Sequence, residues 1–190
     1  MRGEWCYFHK QFTAEECDRI LEIAKTLPVK DGEVGVGTVV TVHEETRRSK
    51  VRFIQKKDAR FDWLFDRLWK LGMTANDEWF NFHLSKMDFI QFGEYDASYK
   101  GHYKKHHDVF WMNGDTKYHR KMSAVIQLTD PESYEGGDFE IFAKELPKKN
   151  EIRARGTVRF FPSFIEHQAN LVTSGTRQSL ACWFEGPKWR

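Results

Sequence analysis

The spacing of apolar residues changes once along the chain. Up to about residue 80 they recur every three or four positions. Beyond it they alternate with polar ones. Thr13-Ala14-Glu15-Glu16 has the form of a capping box. Behind it Cys17, Ile20, Leu21 and Ala24 fall on one helical face, and the pattern stops at Pro28. Asp58 is placed to cap a second helix, in which Phe61, Leu64, Phe65, Leu68 and Leu71 form a single apolar stripe. Between the two helices, residues 32–42 are rich in glycine and β-branched side chains and lead into the basic run 47–50. That stretch predicts a strand followed by a mobile loop.

The period-two half predicts strands over residues 82–92, 99–109, 123–129, 139–142, 157–161, 166–173 and 178–184. Turn signals separate them: Asp130-Pro131, Gly136-Gly137-Asp138, Phe161-Pro162-Ser163 and Ser174-Gly175. Helices first and short strands afterwards predict a mainly β protein, a barrel or sandwich braced by N-terminal helices. No internal repeat or linker breaks the chain. The expectation is one domain over 1–190, with supporting helices and strands in 1–81 and the β core in 82–190.

Composition narrows the function classes. The chain has 190 residues, 31% of them charged, and a net charge of only +2. Its basic residues are scattered rather than striped, which argues against a nucleic-acid partner. No apolar run is long enough for a membrane span, and residues 1–12 lack the apolar core of a signal peptide. Cys6, Cys17 and Cys182 are an odd number without metal-ligand spacing, so free thiols in a reducing, cytoplasmic compartment are expected. Nothing in the sequence specifies an oligomeric state.

Three groups carry candidate chemistry. His106-x-Asp108 places an imidazole and a carboxylate on the same face of a predicted strand. His167, on a distant strand, completes a set of two imidazoles and one carboxylate, the ligand type that holds Fe(II) and leaves other positions open. His43-x-Glu45 repeats the first spacing but sits among charged residues and is expected at the solvated surface. His107 is expected to face away from His106. Ten residues after His167 comes Arg177-Gln178-Ser179. A turn at Ser174-Gly175 would return Arg177 beside the strand of His167. By period two, Arg177 and Ser179 share a face and offer a guanidinium fork and a hydroxyl to a carboxylate. Together these residues suggest a mononuclear iron enzyme with a small dicarboxylate cosubstrate.

The order Tyr103-x-x-His106-x-Asp108, Asp130-Pro131, Tyr134-x-Gly136-Gly137-Asp138, Phe161-Pro162-Ser163, His167, Arg177 and Trp183 resembles the 2-oxoglutarate- and Fe(II)-dependent oxygenases of the prolyl 4-hydroxylase-like superfamily. The resemblance covers about residues 85–187. It implies a double-stranded β-helix, or jelly-roll, core. It implies that His106, Asp108 and His167 bind iron. It further implies that Arg177, with Tyr103 and Ser179 nearby, receives the distal carboxylate of 2-oxoglutarate, and that Trp183 lines the substrate site. Fe(II), 2-oxoglutarate and O2 would be required, with ascorbate supportive, and succinate and CO2 released.

A peptide or protein is the expected substrate, with hydroxylation of a prolyl residue first. A free amino acid, another protein side chain, or a non-catalytic jelly-roll binding module are the alternatives. Many prolyl 4-hydroxylases carry lysine where this chain has Arg177, which loosens the substrate assignment but not the cosubstrate. Related halogenases lack the carboxylate that Asp108 supplies. Nucleic-acid demethylases resemble R-x-N-x-T-x-R where this chain reads Thr176-Arg177-Gln178-Ser179-Leu180-Ala181-Cys182. Two segments are expected to form lids over the site, 31–50 with Gly32, Gly35 and Gly37, and 110–120 with Trp111, Tyr118 and the turn Asn113-Gly114-Asp115.

Overall fold

A computed structural model of the chain describes residues 2–36, 39–109, 117–145 and 148–189. In chain order the first six strands are β1 (Cys6–Phe8), β2 (Lys30–Asp31), β3 (Val34–Val36), β4 (Val39–Thr41), β5 (Arg47–Arg48) and β6 (Lys50–Gln55). They are followed by β7 (Phe89–Asp96), β8 (His102–His106), β9 (Tyr118–Gln127), β10 (Tyr134–Gly136) and β11 (Phe139–Ile141). Last come β12 (Val158–Pro162), β13 (His167–Ala169) and β14 (Val172–Pro187). The helices are α1 (Ala14–Lys25), α2 (Asp62–Ala75) and the short α3 (Lys149–Arg153).

The large sheet runs β1-β12-β9-β14-β7-β6-β2, with β10 added to one end of β14. The small sheet runs β11-β13-β8-β5, and β3 and β4 form a separate hairpin. Every pairing given is antiparallel. Alternation along the large sheet sorts its side chains into two sets. Ile90, Phe92, Met122, Ala124, Ile126, Val158, Phe160, Leu180, Cys182 and Phe184 point to the helices and join Cys17, Ile20, Leu64 and Leu68 in the main core. Each such apolar side chain contributes roughly 1.5–3 kcal/mol by leaving water. The residues between them face the small sheet. There Val125 and Phe161 pack with Ile141, and Tyr95 packs with Ala169 and Val172.

The helix readings hold at their starts. Thr13 and Glu16 bond each other's backbone N–H reciprocally, at 3.2 and 3.0 Å. The Asp58 side chain accepts from Arg60 N–H at the head of the turn 59–61 that leads into α2. Three strand readings need correction. Residues 82–88 precede β7 instead of belonging to it. Asn76 bonds both the N–H and the C=O of Phe82, and this ties the segment to the end of α2. Residues 47–50, read as the basic end of a loop, form β5 and the start of β6, and β6 pairs with β7 throughout its length. Ser174-Gly175 is no hairpin turn. β10 pairs with residues 172–175, so the ladder continues and Gly175, at φ +68°, bends β14 without reversing it.

Gly156 fastens the N-terminal segment to the barrel. It accepts from Phe12 N–H at 3.2 Å and donates to Gln127 C=O at 2.7 Å. Its φ is +80°, and a Cβ there would stand 1.9 Å from the Phe12 carbonyl oxygen. Gly156→Ala is therefore expected to lower stability by about 2–4 kcal/mol, read as a fall of roughly 5–15 °C in melting temperature. An unchanged melting curve would refute this account of the contact.

Candidate metal centre and the cavity beside it

Cross-strand pairing sets two histidines side by side. His167, the first residue of β13, lies opposite His106, the last of β8, and the ring centroids are 4.3 Å apart. Because β13 begins there, β8 has no ladder partner past His106. Asp108 consequently sits beyond the strand end, and the expectation that it shares a strand with His106 is corrected. Its backbone N–H donates to Ser163 C=O at 2.8 Å, and this turns the carboxylate under both rings. Asp108 Oδ1 is 3.8 Å from His106 Nε2, and Oδ2 is 3.5 Å from His167 Nε2. The three residues offer ligand atoms that all lie within 4.8 Å of one another.

Further bonds hold these groups in a ligating state. His106 Nδ1–H donates to Lys104 C=O at 2.8 Å, and His167 Nδ1–H donates to Ile165 C=O at 3.0 Å. Both rings are thereby oriented with Nε2 toward the site. Ser123 Oγ donates to Asp108 Oδ2 at 2.6 Å and lies 2.9 Å from Ser163 Oγ. Burial, then the charge of His167, pulls the His106 pKa down to about 4, so the ring is neutral at pH 7. Burial alone would raise the Asp108 pKa. The charges of His167, His106 and Arg120 and the Ser123 bond outweigh it and hold the carboxyl below its usual range. Two imidazoles and one carboxylate suit a divalent ion of intermediate softness such as Fe(II), with room for other ligands. Among the described residues, no further metal-ligating cluster accompanies this one.

The centre opens on a cavity of about 710 Å³ between the sheets. Arg177, Ser179, Tyr103 and Trp183 all line it, as expected from sequence. Arg177 reaches it from the large sheet, across from β13, not by way of a hairpin. Its guanidinium is buried, lies 5.6 Å from the Tyr95 ring centre, and leaves Nη2 without a partner. Gly137 makes room for it: at φ +62°, a Cβ there would come within 3.2 Å of Arg177 Cδ. Tyr103 is stacked between His106 at 3.6 Å and the Arg47 guanidinium at 4.5 Å. Burial pushes its hydroxyl pKa up to about 12, so it stays a proton donor. Trp183 lies under the Arg120 guanidinium at 3.8 Å, and its Nε1 has no partner.

Other expectations divide. His43 is exposed and bonds Thr46, as a surface residue would. His107 lines the cavity but is outside the ligand cluster. The first lid segment does border the cavity through Glu33, Val34, Thr41, Thr46 and Arg47. Of that segment Gly37, and of the second segment residues 110–116 with Trp111 and the turn at 113–115, lie outside the described residues, while Tyr118 opens β9. Sequence reasoning missed Ser123, Arg47 and Arg120. Period two in β9 carried the signal for Ser123, a hydroxyl on the face opposite Met122 and Ala124.

With this geometry in view, comparison with known proteins is direct. The model of the 2OG-Fe(II) oxygenase superfamily matches residues 90–185, half of the chain. The protein belongs to the 2OG-Fe(II) oxygenase superfamily. A PKHD-type hydroxylase of Crocosphaera subtropica is 30% identical over 101 residues, 53% of this chain and 44% of that protein. One from Rippkaea orientalis is 24% identical over 175 residues, 91% of this chain and 74% of that protein. The match thus spans less than half the length of the first relative. Among solved structures, a Pseudomonas putida prolyl-4-hydroxylase superposes with a TM-score of 0.70 at 18% identity, covering 98% of this chain and 94% of that one. A Trichoplax adhaerens prolyl hydroxylase, in complex with a hypoxia-inducible-factor peptide fragment, superposes with a TM-score of 0.74 at 13% identity, covering 96% and 83%. These neighbours share the double-stranded β-helix fold. Family membership implies Fe(II), 2-oxoglutarate and O2.

The Ser123–Asp108 bond generates a test. Ser123→Ala is expected to weaken divalent-metal binding by about 10–100-fold while leaving the fold intact. Titration calorimetry with Mn(II), beside a melting curve, measures both. An affinity equal to that of the parent protein would remove Ser123 from the support of the site.

Proposed function

We propose that the chain hydroxylates a prolyl residue of a peptide or protein, with His106, Asp108 and His167 as the iron ligands and Arg177 as the cosubstrate anchor. The observation that carries this reading is the convergence of the three ligands at one end of a cavity whose other end holds a buried guanidinium with an unused donor. Bound iron and 2-oxoglutarate would supply the oxidising chemistry, converting O2, the cosubstrate and a substrate C–H into succinate, CO2 and C–OH.

The protein's own residues orient and desolvate. His106 and His167 bond backbone carbonyls through Nδ1 and so present Nε2 to the metal position. Arg177 offers a charge-assisted fork to the distal carboxylate, in a site that water-exposed arginines cannot match. Ser179 adds a hydroxyl on the same face, and the Tyr103 hydroxyl keeps its proton for the same end. Trp183 and Phe89 supply an apolar wall for a substrate ring. The prolyl assignment is supported by the kinship of the fold with prolyl hydroxylases, one of which is seen with a peptide. Residues 2–189 act as one catalytic unit, since α1 and α2 share a core with the large sheet. Three unpaired buried cysteines and an Fe(II) requirement favour a reducing, cytoplasmic setting in which ascorbate supports turnover. Among the described residues, no helix is long and apolar enough to cross a membrane.

The deciding experiment follows succinate release, with Fe(II) and ascorbate, across proline-rich peptides and free amino acids. Turnover on a prolyl peptide that disappears in His167→Ala is the expected result. Turnover on free amino acids alone would replace the prolyl assignment, and none on any substrate would overturn the reading. A second test concerns Arg177. Arg177→Ala is expected to raise the 2-oxoglutarate requirement by roughly tenfold or more, the loss of a charge-assisted contact of about 1.5–3 kcal/mol. Arg177→Lys should recover part of it as a point charge without the fork. A cosubstrate KM unchanged in the alanine variant would remove Arg177 from this role.

A further inference from the structure

β12 carries a charge that the proposed chemistry leaves unused. Val158 and Phe160 face the helices in the main core, while Arg159 between them faces the small sheet and is only 2% exposed. The registers fix its depth. Phe161, Ser123 and Trp183 form the row of the large sheet that supports the metal end. Arg159, Val125 and Ala181 form the next row. Beyond it come Gln127 with Ser179, and then Arg177 opposite Tyr95. In strand register Arg159 therefore lies between the row of the metal end and the row of Arg177. Arg177 lines both the metal cavity and an adjoining one of about 570 Å³, and Arg159 lines the adjoining one beside it.

Arg159 is poorly matched to a structural role. Its Nη1 donates to Phe139 C=O at 3.3 Å and its guanidinium lies 4.5 Å from the Phe139 ring centre, both neutral partners. Its Nε and the Nη2 of Arg177 are buried without any partner. Asp138, the acid on that wall, is bonded at 2.5 Å to Arg153. Burial, and then the charge of Arg177, pulls the Arg159 pKa down to about 9, which still leaves it cationic at neutral pH. Two desolvated like charges raise the energy of the ligand-free protein, and an anion between them relieves both effects. A carboxylate has about four acceptor sites on its two oxygens, enough for two guanidiniums.

We infer that Arg159 and Arg177 together clamp the distal carboxylate of the cosubstrate, Arg159 being a second anchor beside the first. The inference rests on the reading above that the cavity takes 2-oxoglutarate. It assigns Arg159 a ligand that packing alone would not require.

The test uses the Mn(II)-loaded protein and two probes, 2-oxoglutarate and 2-oxovalerate, which has the same carbon chain but lacks the distal carboxylate. Calorimetry measures the affinity of each. Arg159→Met is expected to weaken 2-oxoglutarate by roughly 10–100-fold and to leave 2-oxovalerate within about twofold. Mn(II) affinity should stay the same, and the melting temperature without cosubstrate should hold or rise. Arg159→Lys is expected to weaken 2-oxoglutarate by roughly 3–10-fold, since it keeps the charge but loses the fork. An Arg159→Met protein that binds 2-oxoglutarate as tightly as the parent, or that loses both probes equally, overturns the clamp. If the methionine variant does not fold, the lysine variant decides, and parental 2-oxoglutarate affinity there overturns it. A parent protein that binds 2-oxovalerate and 2-oxoglutarate equally would defeat the clamp and the Arg177 anchor together. One that binds neither would defeat the functional reading itself.

Discussion

Strict alternation along β9, β12 and β14 is the constraint on which the rest of the molecule depends. One face of these strands carries apolar residues against α1 and α2, and the opposite face carries Ser123, Arg159, Arg177, Ser179 and Trp183 between the sheets. A shift of register by one residue would exchange the two sets. It would put guanidiniums against the helices and phenylalanines against the metal end. The apolar face fixes the register because its burial is worth far more than any single polar contact on the other side. Site geometry is thus a consequence of core packing.

That dependence makes an expensive site possible. Desolvated cations and a desolvated carboxylate cost several kcal/mol each unless they are bonded or paired. The chain meets this unevenly. The Asp108 carboxylate has a serine hydroxyl bonded to it and two imidazoles beside it. Both histidines have backbone acceptors for Nδ1. Arg177 and Arg159 retain buried donors with no protein partner. The metal end is therefore held fast by the protein, and the cationic end is completed only by what enters. On the function proposed above, such division preorganises the ligands for a metal and leaves the electrostatic attraction for the cosubstrate.

The sequence made much of this legible, and its failures share a cause. The capping box, the apolar stripe of the second helix and the alternation after residue 82 are local signals, and each produced its element. His106, Asp108, His167, Arg177, Ser179, Tyr103 and Trp183 all meet at one cavity because motif order carried information beyond spacing. What local pattern could not supply was pairing. Ser174-Gly175 has turn composition, but β10 arrives to satisfy its backbone and the strand continues. Arg47 lies in a run of basic residues that looks solvated, yet its pairing opposite Tyr103 buries it over that ring. His-x-Asp looks like one strand face, yet β13 stops pairing at His106 and frees Asp108 to turn.

The same unpaired charges tie stability to occupancy. A ligand that binds the folded chain and not the unfolded one stabilises it by RT ln(1 + [L]/Kd), about 2.7 kcal/mol at a hundredfold excess over Kd. Here the gain has a structural address. Arg159 and Arg177, both buried, repel each other and are held near one another by the register of β12, β9 and β14. The main core on the reverse face supplies the stability that tolerates this repulsion. A sheet with a weaker apolar face could not keep two guanidiniums in that arrangement without a bound anion. The extensive helix-side packing of the large sheet is, on this argument, as much a requirement of the binding site as the residues that line it.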